Sequence, residues 1–329
     1  MIRGLYTSAS GMLALQNRQE SLANNLANIN TPGFKQDVGV MRAFPEQLLS
    51  RMNDHEGLDV PGIPTMPGQP AIIGRLHTGV YMSEALPNFA QGDIEETRNP
   101  YDLALMDNIQ PDQDGNERRL FYSVARIEQA NLAQPVQQED IRYTRNGNWS
   151  VNSEGYLVTA EGYYVLDSSN QAIRINHDPA LGTNVGQNLK ISERGELMQV
   201  TIDPITKTEQ FTALPTHARL GLAVVTDPLK LVREGTNVFR FEGDIAVEGI
   251  DLAEANDQAA IAAGTYNTPM VVGRFGTQQG WRERSNVDPA QTMTSMMSVL
   301  RAYEANQRVI TTIDGTLDKA ANEIGRVNG

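Results

Sequence analysis

Between residues 5 and 29 apolar side chains return every three or four positions. Leu5, Ser8, Met12, Leu15, Gln19, Leu22, Leu26 and Ile29 form a mostly apolar seam, which predicts one amphipathic helix of the kind that packs on another helix. The pattern stops for local reasons: Asn30 tolerates a left-handed C-cap, Pro32 biases Thr31 away from helix, and Pro32-Gly33 is a turn dipeptide. The far end repeats the design. Met296, Tyr303, Ile310, Leu317 and Ile324 fall seven apart, Met293, Leu300 and Ala321 supply a companion row, and Gln307 and Asp314 are polar exceptions. With Asp288 as N-cap and Pro289 at the first helical position, a helix is predicted from Pro289 to Ile324. Such narrow seams suit helix-on-helix contact, so the two termini are expected to share one helical domain with a coiled-coil-like seam. The alternative is an ordinary amphipathic pair packed on the middle of the chain.

Between the ends the period shifts from helical to alternating. Residues 141–167 place short Tyr-, Val-, Trp- and Thr-rich runs between the turn signals Asn146-Gly147, Ser153-Glu154-Gly155 and Ala160-Glu161-Gly162, which predicts a β-meander. Further strands are expected at Leu189–Ser192 and Leu197–Ile202 around Arg194-Gly195, at Leu220–Thr226 and at Val238–Phe241. The fold class is therefore α+β: long terminal helices sharing a helical domain, and a mostly-β centre with a sandwich or barrel-like layout. The expected division is 1–44 for the N-terminal helix and turn, 45–80 for a connector dense in Pro and Gly, 81–284 for the β domain, and 285–329 for the C-terminal helix. Residues 108–140, opening on the polar stretch 108–119, are expected to be an inserted polar region of the β domain.

Charge follows the same division. The chain carries −13 overall, yet residues 1–44 hold four basic and two acidic side chains and residues 281–329 hold six of each, so the acidity resides in the middle. That balance argues against nucleic acid and against an anionic membrane as partners. The absence of Cys removes disulfides, thiolate metal sites and Cys nucleophiles. The opening residues read as neither a cleaved signal nor an anchor. His55, His77, His177 and His217 have no metal-ligand spacing, and there is no Walker loop, dinucleotide glycine pattern or nucleophile elbow. No catalytic, cofactor-binding or metal site is therefore expected, and no small-molecule substrate. The enzyme alternative is a glycan hydrolase using Glu95 with Glu96, or Glu139 with Asp140, as acid and base.

The stretch SLANNLANINTPGFK, Ser21 to Lys35, resembles the amino-terminal signature of the flagellar basal-body rod and hook axial proteins, and MIRGLYTSASGM resembles the distal-rod branch. ERSNVDPAQTMTSMMSVLRAYEANQRVITTIDGTL, Glu283 to Leu317, is similar to the carboxy-terminal signature of the same family. The 141–167 meander and LGLAVVTDPLKLVREGTNVFRFEG resemble its central β domain, while MRAFPEQLL and HTGVYMSE look most like the rod paralogues of Gram-positive bacteria. The resemblance implies a non-enzymatic structural subunit of the basal-body rod that assembles through its terminal helices into a tube transmitting torque. The tube lets exported subunits pass. The partners implied are copies of itself, other rod and hook proteins, and the flagellar type III export apparatus, which delivers such proteins beyond the cytoplasm without a cleaved signal peptide. The assembly interface would comprise Leu5, Met12, Leu15, Leu22, Leu26 and Ile29 with Met296, Leu300, Tyr303, Ile310, Leu317 and Ile324. The amino-terminal motif carries Asn24, Asn25, Asn28, Asn30, Thr31, Pro32, Gly33 and Phe34. The asparagines would supply hydrogen bonds across subunit contacts, with simple solvation favoured for Asn25. Phe44 and Leu48 resemble the element that engages the export gate, a pattern that Phe34 and Val38 fit equally well. The alternatives are a hook or proximal-rod subunit, or an exported binding module or adhesin with the same fold.

Overall fold

The computed structural model describes residues 2–45, 47–50, 72–112, 115–128, 132, 134–175, 189–202, 209–213, 219–242, 247–262 and 269–324. Most of the Pro/Gly-rich connector lies outside them. Contacts divide the chain into two units, each assembled from separated stretches. The first comprises Met1–Leu26, Asp37–Leu86 and Asp288–Gly329, and the second Ala27–Gln36 and Pro87–Val287. The turn after the first helix, expected with the helical domain, thus belongs to the second unit. The described α-helices are α1 (Ile2–Ala27), α2 (Ile250–Ala262) and α3 (Pro289–Ile324). None is long and apolar enough to cross a membrane.

In the first unit α1 and α3 run antiparallel. A Cβ built on Gly4 would stand 3.2 Å from Ile313 Cδ1, and one on Gly11 would stand 3.2 Å from Asn306 Nδ2. Positions seven apart on one helix therefore meet positions seven apart on the other, in reverse order. The covered positions of α3 are Thr292, Ser295, Met296, Val299, Tyr303, Asn306, Ile310, Ile313, Leu317 and Ala320, which apart from Ser295 alternate in fours and threes. The row through Met296 is the expected one. Its companion row lies one residue earlier than hydropathy suggested: Met293, Leu300 and Ala321 are exposed, and Thr292, Val299, Asn306, Ile313 and Ala320 face inward. Two members of this inner row, Ile313 and Asn306, are the residues that meet Gly4 and Gly11 of α1. α3 starts as predicted, with Asp288 Oδ1 accepting from the backbone N–H groups of Ala290 (2.8 Å) and Gln291 (3.1 Å).

Among the described residues the same unit holds four strands, β1 (Asp37–Ala43), β2 (Gln47–Ser50), β3 (Ile72–Leu76) and β4 (Val80–Pro87). β1 pairs with β4 and β2 with β3. The 45–80 connector therefore carries a paired strand toward each end. α1 touches the entry to β4: Thr7 Oγ1 donates to Thr78 O, and a Cβ on Gly79 would fall 2.2 Å from Ser10 Oγ.

The second unit is built on strands in this order: β5 (Ile94–Glu96), β6 (Leu103–Asp107), β7 (Arg118–Ala125), β8 (Ile141–Thr144), β9 (Trp149–Val151), β10 (Leu157–Thr159), β11 (Tyr164–Val165), β12 (Leu189–Ile191) and β13 (Leu197–Ile202). There follow β14 (Glu209–Ala213), β15 (Leu222–Thr226), β16 (Leu231–Arg233), β17 (Val238–Phe241), β18 (Val247–Gly249), β19 (Phe275–Gln279) and β20 (Trp281–Glu283). Nine strands form one sheet in the order β16-β17-β8-β7-β11-β10-β9, with β15 pairing β7 and β18. β7 is the hub, since β8 pairs along one edge while β15 and β11 share the other.

Two expectations fail here. Residues 108–140 are not simply an inserted polar region, because β7 lies inside them. Leu120, Tyr122 and Val124 pack into one hydrophobic cluster and Phe121 and Ala125 into another. A strand buried on both faces reads as a continuous apolar run without alternation, which is why periodicity passed over it. The meander is also shorter than predicted. β9, β10 and β11 follow one another antiparallel, but β8 pairs with β7 and β17, so Asn146-Gly147 makes no hairpin. Gly147 instead admits another segment: a Cβ there would lie 1.8 Å from Leu103 O.

Phe121 is fully buried, with its ring edge-on to Phe89. Phe121→Ala should lower the urea-unfolding free energy of this unit by about 3–5 kcal/mol, read from the fluorescence of Trp149. A loss below about 1 kcal/mol would remove β7 from the hub.

Candidate assembly and anchoring site

The amino-terminal motif that stood out in the sequence folds into the second unit. α1 ends at Ala27, and Thr31 N–H closes a turn onto Asn28 O (3.1 Å). The left-handed residue is Gly33, with φ +68°, rather than Asn30. Its N–H donates to Glu283 O (2.9 Å), and a Cβ on it would stand 2.7 Å from Asn146 N and 2.8 Å from Arg145 C. Both conformation and crowding thus demand glycine. Phe34 is buried beneath the Arg233 guanidinium, 4.8 Å from its ring centre. Arg233 also donates to Lys35 O (2.7 Å), and Asn237 Nδ2 donates to Pro32 O (3.1 Å).

Lys35 continues the motif into a buried charge cluster. Lys35 and Glu283 side chains are each 1% exposed, with Nζ and Oε1 2.7 Å apart. Lys35 Nζ also donates to Ala90 O (2.8 Å), and Glu283 Oε1 accepts from Gly92 N–H (2.8 Å). Arg145 bridges two carboxylates: Nε donates to Glu283 Oε2 (3.1 Å) and Nη1 to Asp107 Oδ2 (2.9 Å). Arg145 Nη1 further donates to Leu120 O (2.7 Å), while Asp107 Oδ2 accepts from Leu120 N–H (2.9 Å), so the ion pair grips both backbone groups of one residue in β7. Arg119 approaches Asp107 Oδ1 at 3.6 Å.

Burial pushes the carboxyls of Asp107 and Glu283 up, but their cations outweigh it. Arg145, Leu120 N–H, Arg119 and Lys35 hold Asp107 below the usual carboxylate range, and Arg145 and Lys35 do the same for Glu283. Lys35 goes the other way. Burial disfavours its charged form and lowers it to about 8, outweighing Glu283, and the like charge of Arg145 adds to the fall.

Asn286 completes the arrangement. Its Oδ1 accepts from Gln36 N–H (2.8 Å), and its Nδ2 donates to Asn88 O (2.8 Å) and Ala90 O (3.0 Å).

The residues expected at an assembly interface divide into two groups. Leu5, Met12, Leu15, Leu22 and Leu26 on α1 and Met296, Tyr303, Ile310 and Leu317 on α3 are half-buried within the first unit, Leu300 is exposed, and the side chain of Ile324 lies outside the described set. Ile29 is half-buried in the second unit. Exposed apolar side chains stand elsewhere on the two helices: Tyr6 (67%) and Leu13 (64%) on α1, Met293, Met297 (53%), Leu300 and Val309 on α3. Asn25 is not solvated. It is fully buried, and its amide exchanges two hydrogen bonds with the backbone of Asp37, at 2.8 and 2.9 Å. Phe44 is exposed with its ring against Tyr81, and Leu48 sits on β2 opposite Arg75, its side chain outside the description. Of the carboxylates considered for catalysis, Glu95 pairs with Arg282 and Glu96 with Arg98. His77 is exposed, and the other three histidines lie outside the described residues.

Asp107, Arg145, Glu283 and Asn286 did not emerge from sequence reading. The available signal was a Lys closing an otherwise uncharged motif, which demands a distant carboxylate once that motif is buried.

Three family descriptions match the chain: "Flagella basal body rod protein" over residues 5–35, "Flagellar hook protein FlgE/F/G D1 domain" over 133–200, and "Flagellar basal body rod FlgEFG protein C-terminal" over 278–323. The flagellar hook-basal body complex protein FlhO of Bacillus subtilis is 34% identical over 328 residues, covering 99% of this chain and 100% of FlhO. The chain belongs to the flagellar basal-body rod family. FlhP of Bacillus subtilis is 27% identical over 96% of this chain and 97% of its own length, and the rod protein FlgG of Borreliella burgdorferi is 28% identical over 98% of each. The rod-family matches fall on the buried cluster in an informative way. The first ends at Lys35, the second contains Arg145, and the third contains Glu283 and Asn286.

Two outcomes are expected. Gly33→Ala should cost more than about 2 kcal/mol in urea unfolding, since it adds backbone strain to a collision with main-chain atoms. The cluster should also make the unit acid-sensitive. Asp107 and Glu283 have folded values below the ordinary 3.8 and 4.5, so their contribution is complete above about pH 4.5 and drains as pH falls through the folded values. Lys35, lowered to about 8, sheds its proton more readily folded than unfolded, so no stability is lost through it between pH 8 and 10.5. Urea midpoints across pH 2–10 test both signs.

Proposed function

We propose that the chain is a structural subunit of the flagellar basal-body rod. The observation that carries this is the end-to-end likeness to FlhO, spanning both helices and the β unit between them. The first unit supports an assembly role. Tyr6 and Leu13 on α1, and Met293, Met297, Leu300 and Val309 on α3, leave apolar side chains in water on helices whose seam is already filled. Burial of such rows against neighbouring copies, at roughly 25 cal/mol per Å² of apolar area, drives stacking into a tube held by coiled-coil-like contacts. The rows sit on different helices, which suits a head-to-tail contact that propagates rather than a closed dimer.

On this reading the chain is delivered by the flagellar export apparatus, with Phe44 and Leu48 as the engaging element, and it works in the basal body without catalysing a reaction. The match to the hook-protein domain over 133–200 keeps a hook position as the second reading. Mass spectrometry of purified hook–basal bodies, with electron microscopy of particles from a deletion strain, separates the two. A truncated rod supports a rod subunit, an intact rod lacking its hook supports the second reading, and absence of the chain from intact particles overturns both. Leu13→Asp combined with Met297→Asp should abolish incorporation while moving the unfolding free energy of the second unit by less than about 0.5 kcal/mol.

A further inference from the structure

Three of the four passages of the chain into or out of the second unit are tied at one place. The chain enters from α1 at Ala27, leaves toward β1 after Gln36, re-enters from β4 at Pro87 and leaves toward α3 after Val287. Inside that unit residues 33–36, 88–92 and 283–286 lie side by side, and each bonds to both of the others. Gln36 O accepts from Asn88 N–H (2.8 Å), Gly33 N–H donates to Glu283 O, and Glu283 Oε1 takes both Lys35 and Gly92. The Asn286 side chain spends its oxygen on Gln36 and its nitrogen on Asn88 and Ala90.

Partial opening of this knot is penalised by charge. Were residues 283–286 to leave, Lys35 and Arg145 would remain as neighbouring cations, with Asp107 as the one carboxylate left to the cluster's interior. Were residues 33–36 to leave, Glu283 would lose its closest cation and Gly92 would keep half of a site. Uncompensated buried charge is what makes breaking such a pair costly. A chain terminus frays segment by segment only when each segment's contacts are its own, and here they are shared three ways.

We infer that this knot is an all-or-none latch: residues 33–36, 88–92 and 283–286 open and close as one, freeing or fixing the roots of β1, β4 and α3 together. The latch is a property of the folded chain and stands whether or not the rod reading does. It also sets an order on folding. Lys35 and Glu283 are 248 positions apart, so the latch cannot close until nearly the whole chain is available.

Hydrogen–deuterium exchange on the full chain tests this with two variants. Glu283→Gln leaves two cations facing a neutral amide and is the severe case. Asn286→Ala keeps every charge and is the case expected to stay folded, with Trp149 fluorescence as the check. In Asn286→Ala the amides of Gly33, Asn88 and Gly92, whose acceptors are all still present, should exchange faster by one common factor of about ten to a hundred. The amides of Leu120 to Ala125 should keep their parent rates. Acceleration at Gly33 without Asn88 and Gly92, or confined to Gln36, whose acceptor is removed, would overturn the latch. Should Glu283→Gln unfold the unit, the Asn286→Ala pattern still decides.

Discussion

Two cations and two carboxylates are held out of water where the strands of the second unit meet the turn that follows α1, and the unit depends on their pairing with one another. An unpartnered buried charge would cost several kcal/mol, so Lys35, Asp107, Arg145 and Glu283 must be placed together or not at all. Each comes from a different part of the chain: the motif after α1, the end of β6, the residue after β8 and the end of β20. Fixing four remote segments at one point determines which strands can pair around it. Leu120 shows the economy of the arrangement, because Asp107 takes its N–H and Arg145 its carbonyl while its side chain enters the core. Position and polarity in β7 are set by the same two side chains.

Much of the architecture was legible from residue pattern alone. The start of α3 at Pro289 followed from Asp288 and Pro289, and the strands after Gly155 and Gly162 followed from turn chemistry, both glycines having positive φ. What escaped did so because local pattern and tertiary placement disagree. β7 is buried on both faces and has no alternation to read. The inward row of α3 is Thr292, Asn306 and Ala320 as well as Val299 and Ile313, so a ranking by hydropathy moved the row onto exposed Met293 and Leu300. Asn25 looked like an exposed helix-end amide, yet it is committed to the backbone of Asp37. The charge cluster was least legible of all, since nothing local to Glu283 says that it faces Lys35.

The helical unit shows a different economy. Gly4 and Gly11 stand against Ile313 and Asn306 of α3, while other apolar side chains of both helices remain outside that seam. On the proposed assembly reading, stability of the pair and association fall to different residues. The half-buried row through Met12 and Tyr303 belongs to the fold, whereas Leu13 and Met297 add little to it and remain open to neighbours. On that reading substitutions tune association without unfolding the subunit, which is the condition for a contact surface to diverge.

Asn88 and Asn286 are joined by a hydrogen bond of 2.8 Å, so the two ends of the 87–287 segment lie against each other. A segment with adjoining ends is an interchangeable insert: it can be lengthened, shortened or replaced while the chain on either side runs on unaltered. The single condition is that any replacement must receive residues 27–36, because Gly33, Phe34 and Lys35 are built into it from outside that span. Diversity among related subunits is then free to accumulate in the β unit, while the turn that plugs into it acts as the standard fitting to which each new version must conform.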